Sequence, residues 1–260
     1  MSLITYQREG AIGVLSLNRP DKLNAMSHEM GDAIRALVPQ LNADRDLRVL
    51  VVRGEGRAFS AGGDLSFLEE NSRRAPSENE AVMVDFYTKF LALREVEVPT
   101  IAALHGRATG AGFCLALGCD MRFAAEDALL SLNFVRVGLS PGMAGTWNLP
   151  RLVGPARAAE LLYTGRLIPA AEALSIGLVN GIFPPDQVLG GVMVVAAQIA
   201  EGAPDAVRST KALLRRSEDL PLEDALGAEA HAQALCFASQ DLAEGIAAIR
   251  EKRPPRFEGR

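Results

Sequence analysis

Two short runs of apolar and β-branched residues, LITYQR and AIGVLSL within residues 3–17, predict a pair of strands turning at Glu9 and Gly10. NRPD at 18–21 is a turn signal. From Ser27 the period changes: Met30, Ile34, Leu37 and Leu41 share one face of a helix, which Pro39 is expected to end or kink. LRVLVVR at 47–53 reads as a buried strand, followed by a glycine-rich connection over 54–63. Residues 67–79, FLEENSRRAPSEN, are polar without an apolar period and are expected as a long surface loop. A helix then carries Met83, Phe86, Tyr87, Phe90 and Leu93 over 80–94. Residues 99–104 read as a strand, and 106–112 as a second glycine-rich turn opening a helix through Leu117; 121–125 and 129–132 read as further strands.

From residue 150 helices take over. Pro155 and Gly165 bracket one, Pro169 and Gly177 a shorter one, at the two ends where proline and glycine are favoured. Others are expected near 186–201, 204–217, 222–238 and 241–252. The pattern implies an α/β core over 1–195 and a helical C-terminal region over 196–260, with no obvious linker. The two glycine turns are alike, but no fixed-period repeat accompanies them.

A chain of 260 residues fits one large domain, and 48% hydrophobic with 23% charged residues excludes a disordered chain. The formal net charge of −5 offers no basic excess for nucleic acid or an anionic membrane. The longest apolar stretch, 188–200, is shorter than the roughly 20 residues of a membrane span, and the opening MSLITYQREG lacks the pattern of a signal peptide. Cys114, Cys119 and Cys236 cannot all pair and form no CxxC, which points to a reducing cytoplasm. Three histidines without HExxH argue against a zinc enzyme, and no metal or tightly bound cofactor is expected.

The chemistry concentrates in RAFSAGGD at 57–64 and GRATGAG at 106–112, each following an apolar strand. Exposed backbone N–H groups at such turns accept negative charge. Two turns side by side could aim two donors at one carbonyl oxygen, each contributing roughly 3–4 kcal/mol in the transition state. Either turn alone reads first as a tight strand-to-helix connection. The second lacks the third glycine of a dinucleotide fingerprint, having Leu115 there, and AFSAG at 58–62 only approximates a nucleophile elbow.

With NRPDKLNA (18–25), FSAGGDL (59–65), GRATGAG (106–112), CD (119–120), GLSPG (138–142), RAAELLYTG (157–165), residues 173–179, EG (244–245) and EKR (251–253) in this order, the chain resembles the crotonase (enoyl-CoA hydratase/isomerase) superfamily over essentially its whole length. The resemblance implies a core of repeated ββα units with C-terminal helices used in trimerisation, as a homotrimer or dimer of trimers. It implies an acyl-CoA thioester substrate, with coenzyme A entering as part of that substrate. The oxyanion donors map onto the backbone N–H groups of Gly63 and Ala111, alanine standing where glycine is usual. Coenzyme A contacts map onto Lys22, Leu23 and Ala25, onto Ala61, Asp64 and Leu65, and onto Lys252 for the phosphates. Solvated surface charge is an equal reading for either lysine.

The pattern breaks at the acid/base positions. Cys114 and Phe134 stand where hydratases of this kind carry glutamates, and Gly142 where other members carry an aspartate, so these three become acyl-pocket candidates and no general base is assigned. Cys114 reads as an inert core thiol before a reactive one, and Asp64 and His105 as structural. Glu69, Glu70 and Glu78 read as solvated acids of the expected loop, and Arg136 either meets a polar acyl group or pairs at the surface. The expected activity is enoyl-CoA hydration or isomerisation through a stabilised enolate. The alternatives are a non-catalytic acyl-CoA-binding protein, and a thioester hydrolase or other isomerase on the same fold.

Overall fold

The computed structural model describes residues 2–217 and 220–260. Its strands are β1 (Ile4–Glu9), β2 (Ile12–Leu17), β3 (Val49–Gly54), β4 (Thr100–Leu104), β5 (Arg107–Thr109), β6 (Met121–Ala125), β7 (Leu129–Ser131), β8 (Ile168–Pro169) and β9 (Gly181–Phe183). Its α-helices are α1 (His28–Ala43), α2 (Leu65–Asn71), α3 (Pro76–Leu91), α4 (Ala111–Leu117), α5 (Gly145–Val153), α6 (Pro155–Thr164), α7 (Ala170–Ser175), α8 (Val188–Ala200), α9 (Pro204–Ser217), α10 (Leu222–Phe237) and α11 (Gln240–Glu251).

The main sheet runs β1-β2-β3-β4-β6-β9, parallel except for the β1–β2 hairpin. Its central strands are apolar on both faces because both faces are covered. Val49 and Val51 pack with Val192 and Ala196 of α8, while Leu50 and Val52 point into the larger core with Met30 and Ile34 of α1 and Phe90 of α3. A smaller sheet, β5-β7-β8, grows out of the second glycine turn. The division expected between residues 195 and 196 falls inside α8, the helix that covers one face of the main sheet.

Three local expectations are corrected. The expected loop over 67–79 is mostly helix. Asp64 caps α2 by accepting from the Ser66 N–H at 3.1 Å, Pro76 opens α3, and the buried Phe67 stacks on Phe86 with ring centroids 4.8 Å apart. A single aromatic anchor and a good cap outweigh the missing period. Pro39 does not end α1, which continues to Ala43 because Val38 and Leu41 are held in the core on either side of it. The onset of helices expected at residue 150 is late by one element: α5 begins at Gly145, after Met143 and Ala144 turn the chain in the left-handed region.

Candidate active site

The two glycine turns lie against each other. Ser60 and Ala108 form a parallel bridge, the Ser60 N–H donates to Arg107 O at 3.1 Å, the Thr109 N–H to Ser60 O at 3.0 Å, and the Thr109 hydroxyl to Ala61 O at 2.9 Å. The close approach requires glycine at 112, where a Cβ would meet the Ser60 side chain at 2.5 Å, and at 62, where φ is +96° and a Cβ would lie 2.9 Å from Thr109 O. Ala111, the first residue of α4, keeps an ordinary helical backbone, which a methyl group tolerates.

Neither the Gly63 nor the Ala111 N–H has a backbone acceptor among the described residues. At Ala111 this follows from its place at the start of a helix, where no preceding turn exists to accept from it. Both residues line one cavity of about 550 Å³, whose walls come from both turns, from α2 and α3, and from residues 133–143.

The segment matching the coenzyme A contacts is built onto the first turn. Leu23 and Asn24 are left-handed, and the Asn24 side chain is wholly buried, donating to Glu55 O and Ala58 O at 2.8 Å and accepting from the Arg19 N–H at 2.8 Å. The Ala61 N–H donates to Leu23 O at 2.9 Å and the Met26 N–H to Gly62 O at 2.7 Å. Lys22, Leu23, Ala25, Ala61, Asp64 and Leu65 are thereby gathered beside Gly63. Asp64 is committed to structure as well. Its burial would raise its pKa, but the Arg19 guanidinium at 2.7 Å and the Ser66 donors hold the carboxyl below the usual carboxylate range. Lys22 stays half exposed with its Nζ 3.8 Å from Asp64. Lys252 ends α11 in the left-handed region, exposed, and is not among the residues lining this cavity.

The acyl-pocket candidates separate. Phe134 lines the cavity, whereas Cys114 is fully buried behind the wall, with its Sγ donating to Gly142 O at 3.5 Å. Burial pushes that thiol's pKa well up, so it stays protonated. Gly142 packs against Tyr87. Among the described residues no carboxylate lines the cavity. His105 holds Gly56 O at 3.0 Å, and burial lowers its pKa. Arg136 donates to Thr164 O at 2.6 Å. Glu69, Glu70 and Glu78 are solvent-facing residues of α2 and α3, Glu70 pairing with Arg74. Tyr87, read from sequence only as part of an apolar helix face, reaches the cavity. The one sign of this in the sequence is a polar tip on an aromatic among purely apolar neighbours.

Comparison with known proteins agrees with this architecture. The family described as enoyl-CoA hydratase/isomerase matches residues 7–260. A crotonyl-CoA hydratase of Syntrophomonas wolfei is 38% identical over 98% of this chain and 97% of its own. A 2,3-dehydroadipyl-CoA hydratase of Escherichia coli is 34% identical over the full length of both. A crystal structure of an enoyl-CoA hydratase from Bacillus anthracis superposes with a TM-score of 0.93 at 33% identity, covering 99% of this chain and 100% of that one.

Proposed function

This chain belongs to the enoyl-CoA hydratase/isomerase family and is an enzyme of that type acting on coenzyme A thioesters, and we propose that it does so by stabilising a thioester enolate with the N–H groups of Gly63 and Ala111. The observation that carries this reading is that both amides border one cavity and have no backbone acceptor among the described residues. Donors already oriented need no reorganisation as charge develops on the thioester oxygen.

In this reading the acyl chain enters between Phe67, Leu68, Met83 and Phe134, apolar walls that exclude water. The coenzyme A portion follows residues 22–25 and 61–65, and Lys252 reaches its phosphates. A homotrimer, or a dimer of trimers, is supported by α10, which buries none of its residues within one chain while exposing Leu222, Leu226, Leu235 and Phe237. Three free cysteines support a cytoplasmic setting.

Gly63→Pro removes one N–H donor. Turnover of crotonyl-CoA is expected to fall at least 100-fold, and unchanged turnover would overturn the role of that amide. One observation favours a second reading, an acyl-CoA-binding protein without turnover: no carboxylate lines the cavity among the described residues. Calorimetric binding of acyl-CoA with no turnover across a panel of enoyl thioesters would select that reading.

A further inference from the structure

Tyr87 is the only titratable side chain among the described residues lining the cavity. The rest of the wall is apolar side chains, serine and asparagine, and glycine and alanine backbone. The far end of the Tyr87 ring occupies a definite place. A Cβ built on Gly142 would lie 2.6 Å from Tyr87 Cζ and nearer still to the hydroxyl, so the phenol fills the space that any side chain at 142 would need. Gly142 O accepts from Cys114 Sγ, which sets the buried thiol next to the same space. The hydroxyl therefore sits beside positions 114 and 142, two of the three places where the resemblance leads one to expect a carboxylate and this chain has none. Burial raises the pKa of Tyr87, so the phenol keeps its proton at neutral pH and can donate it.

We propose that the Tyr87 hydroxyl is the general acid of this cavity, delivering a proton to the acyl α carbon of the enolate held by Gly63 and Ala111. The inference rests on the enolate reading above. During hydration, water adds at the β carbon while the double-bond pair moves through the α carbon to the thioester oxygen. The Tyr87 O–H bond breaks, its proton forms the new C–H bond at the α carbon as the enolate pair returns, and the phenolate takes up the proton released by the added water. One water is consumed, the tyrosine ends neutral, and no other reactant is needed. The role is that of a catalytic acid, whose loss typically lowers rates by 10²–10⁴-fold.

Tyr87→Phe keeps the ring and removes one oxygen. Its kcat for crotonyl-CoA hydration is expected to fall at least 100-fold, with KM changed by less than about 3-fold and with α-deuterium incorporation in D2O falling in step. The wild-type kcat is expected to decline on the alkaline side as the phenol ionises. A fluorinated tyrosine at 87, with its more acidic phenol, should move that limb to lower pH, a shift that a packing role would not produce. Equal kcat in wild type and Tyr87→Phe, or a limb that does not move, overturns the assignment and leaves the enolate reading standing. Binding of enoyl thioesters without turnover by the wild type overturns both.

Discussion

Arg19 Nη2 lies 2.7 Å from Asp64 Oδ2, and this mostly buried ion pair fastens the loop carrying residues 22–25 to the turn carrying Gly63. Asp64 also caps α2. One carboxylate thus fixes the spacing between the segment proposed to follow coenzyme A and the amide proposed to hold the thioester.

Asp64→Ala should lower stability by about 1–3 kcal/mol through loss of the cap and of the Arg19 partner, read by thermal denaturation. The pH dependence has a defined sign. A carboxyl whose pKa is lowered in the fold contributes stability above its unfolded value, near about 4, and that contribution disappears as pH falls through the folded value. The Tm difference between wild type and Asp64→Asn should therefore shrink as pH is lowered from about 6 to about 3.

The two glycine turns should respond oppositely to one added methyl group. At Gly112 a Cβ would meet Ser60, whose hydroxyl is fixed by donation to Asn24 O at 2.8 Å, so Gly112→Ala should cost about 1–3 kcal/mol and depress turnover by separating the turns. At Gly63 the nearest atom to a Cβ is Leu68 Cδ2 at 3.9 Å and φ is not positive, so Gly63→Ala should leave Tm nearly unchanged. Equal losses in the two variants would contradict this account of the packing.

Attachment of α9 to the core depends on the buried Lys211 and its partly exposed partner Asp120. Lys211 Nζ lies 2.7 Å from Asp120 and donates to Val98 O at 2.6 Å, while Asp120 also accepts from the Thr100 N–H at 2.7 Å. Asp120→Ala leaves the lysine buried without its partner carboxylate and should destabilise by about 3–5 kcal/mol in urea unfolding. Adding Lys211→Met should recover much of that loss, the signature of a coupled pair.

The exposed face of α10 predicts an assembly defect. Phe237→Glu or Leu226→Glu should convert the proposed trimer into smaller species by light scattering, while the circular dichroism of the chain stays native. An unaltered mass would place the subunit contact elsewhere.

Much of the fold was legible in the chain. The hairpin of β1 and β2, the buried runs of β3 and β4, and the bracketing of α6 by Pro155 and Gly165 follow from near neighbours in sequence, as do the two turns whose glycines need positive φ or bare backbone. The helical character of 67–79 was less legible, because it depends on Phe67 finding Phe86 and on Asp64 acting as a cap rather than as a ligand-facing acid.

By itself the sequence determined most of the secondary elements, their order and the family pattern, since periodicity, proline and glycine act within a few residues. Only the tertiary structure decided which side chains border the cavity. Cys114 follows the second turn closely, yet its helix turns it into the core; Tyr87 is distant in the chain, yet α3 brings it to the space left by Gly142. A concave space is bounded by elements far apart in sequence, so its lining is fixed by how those elements pack and by no local signal along the chain.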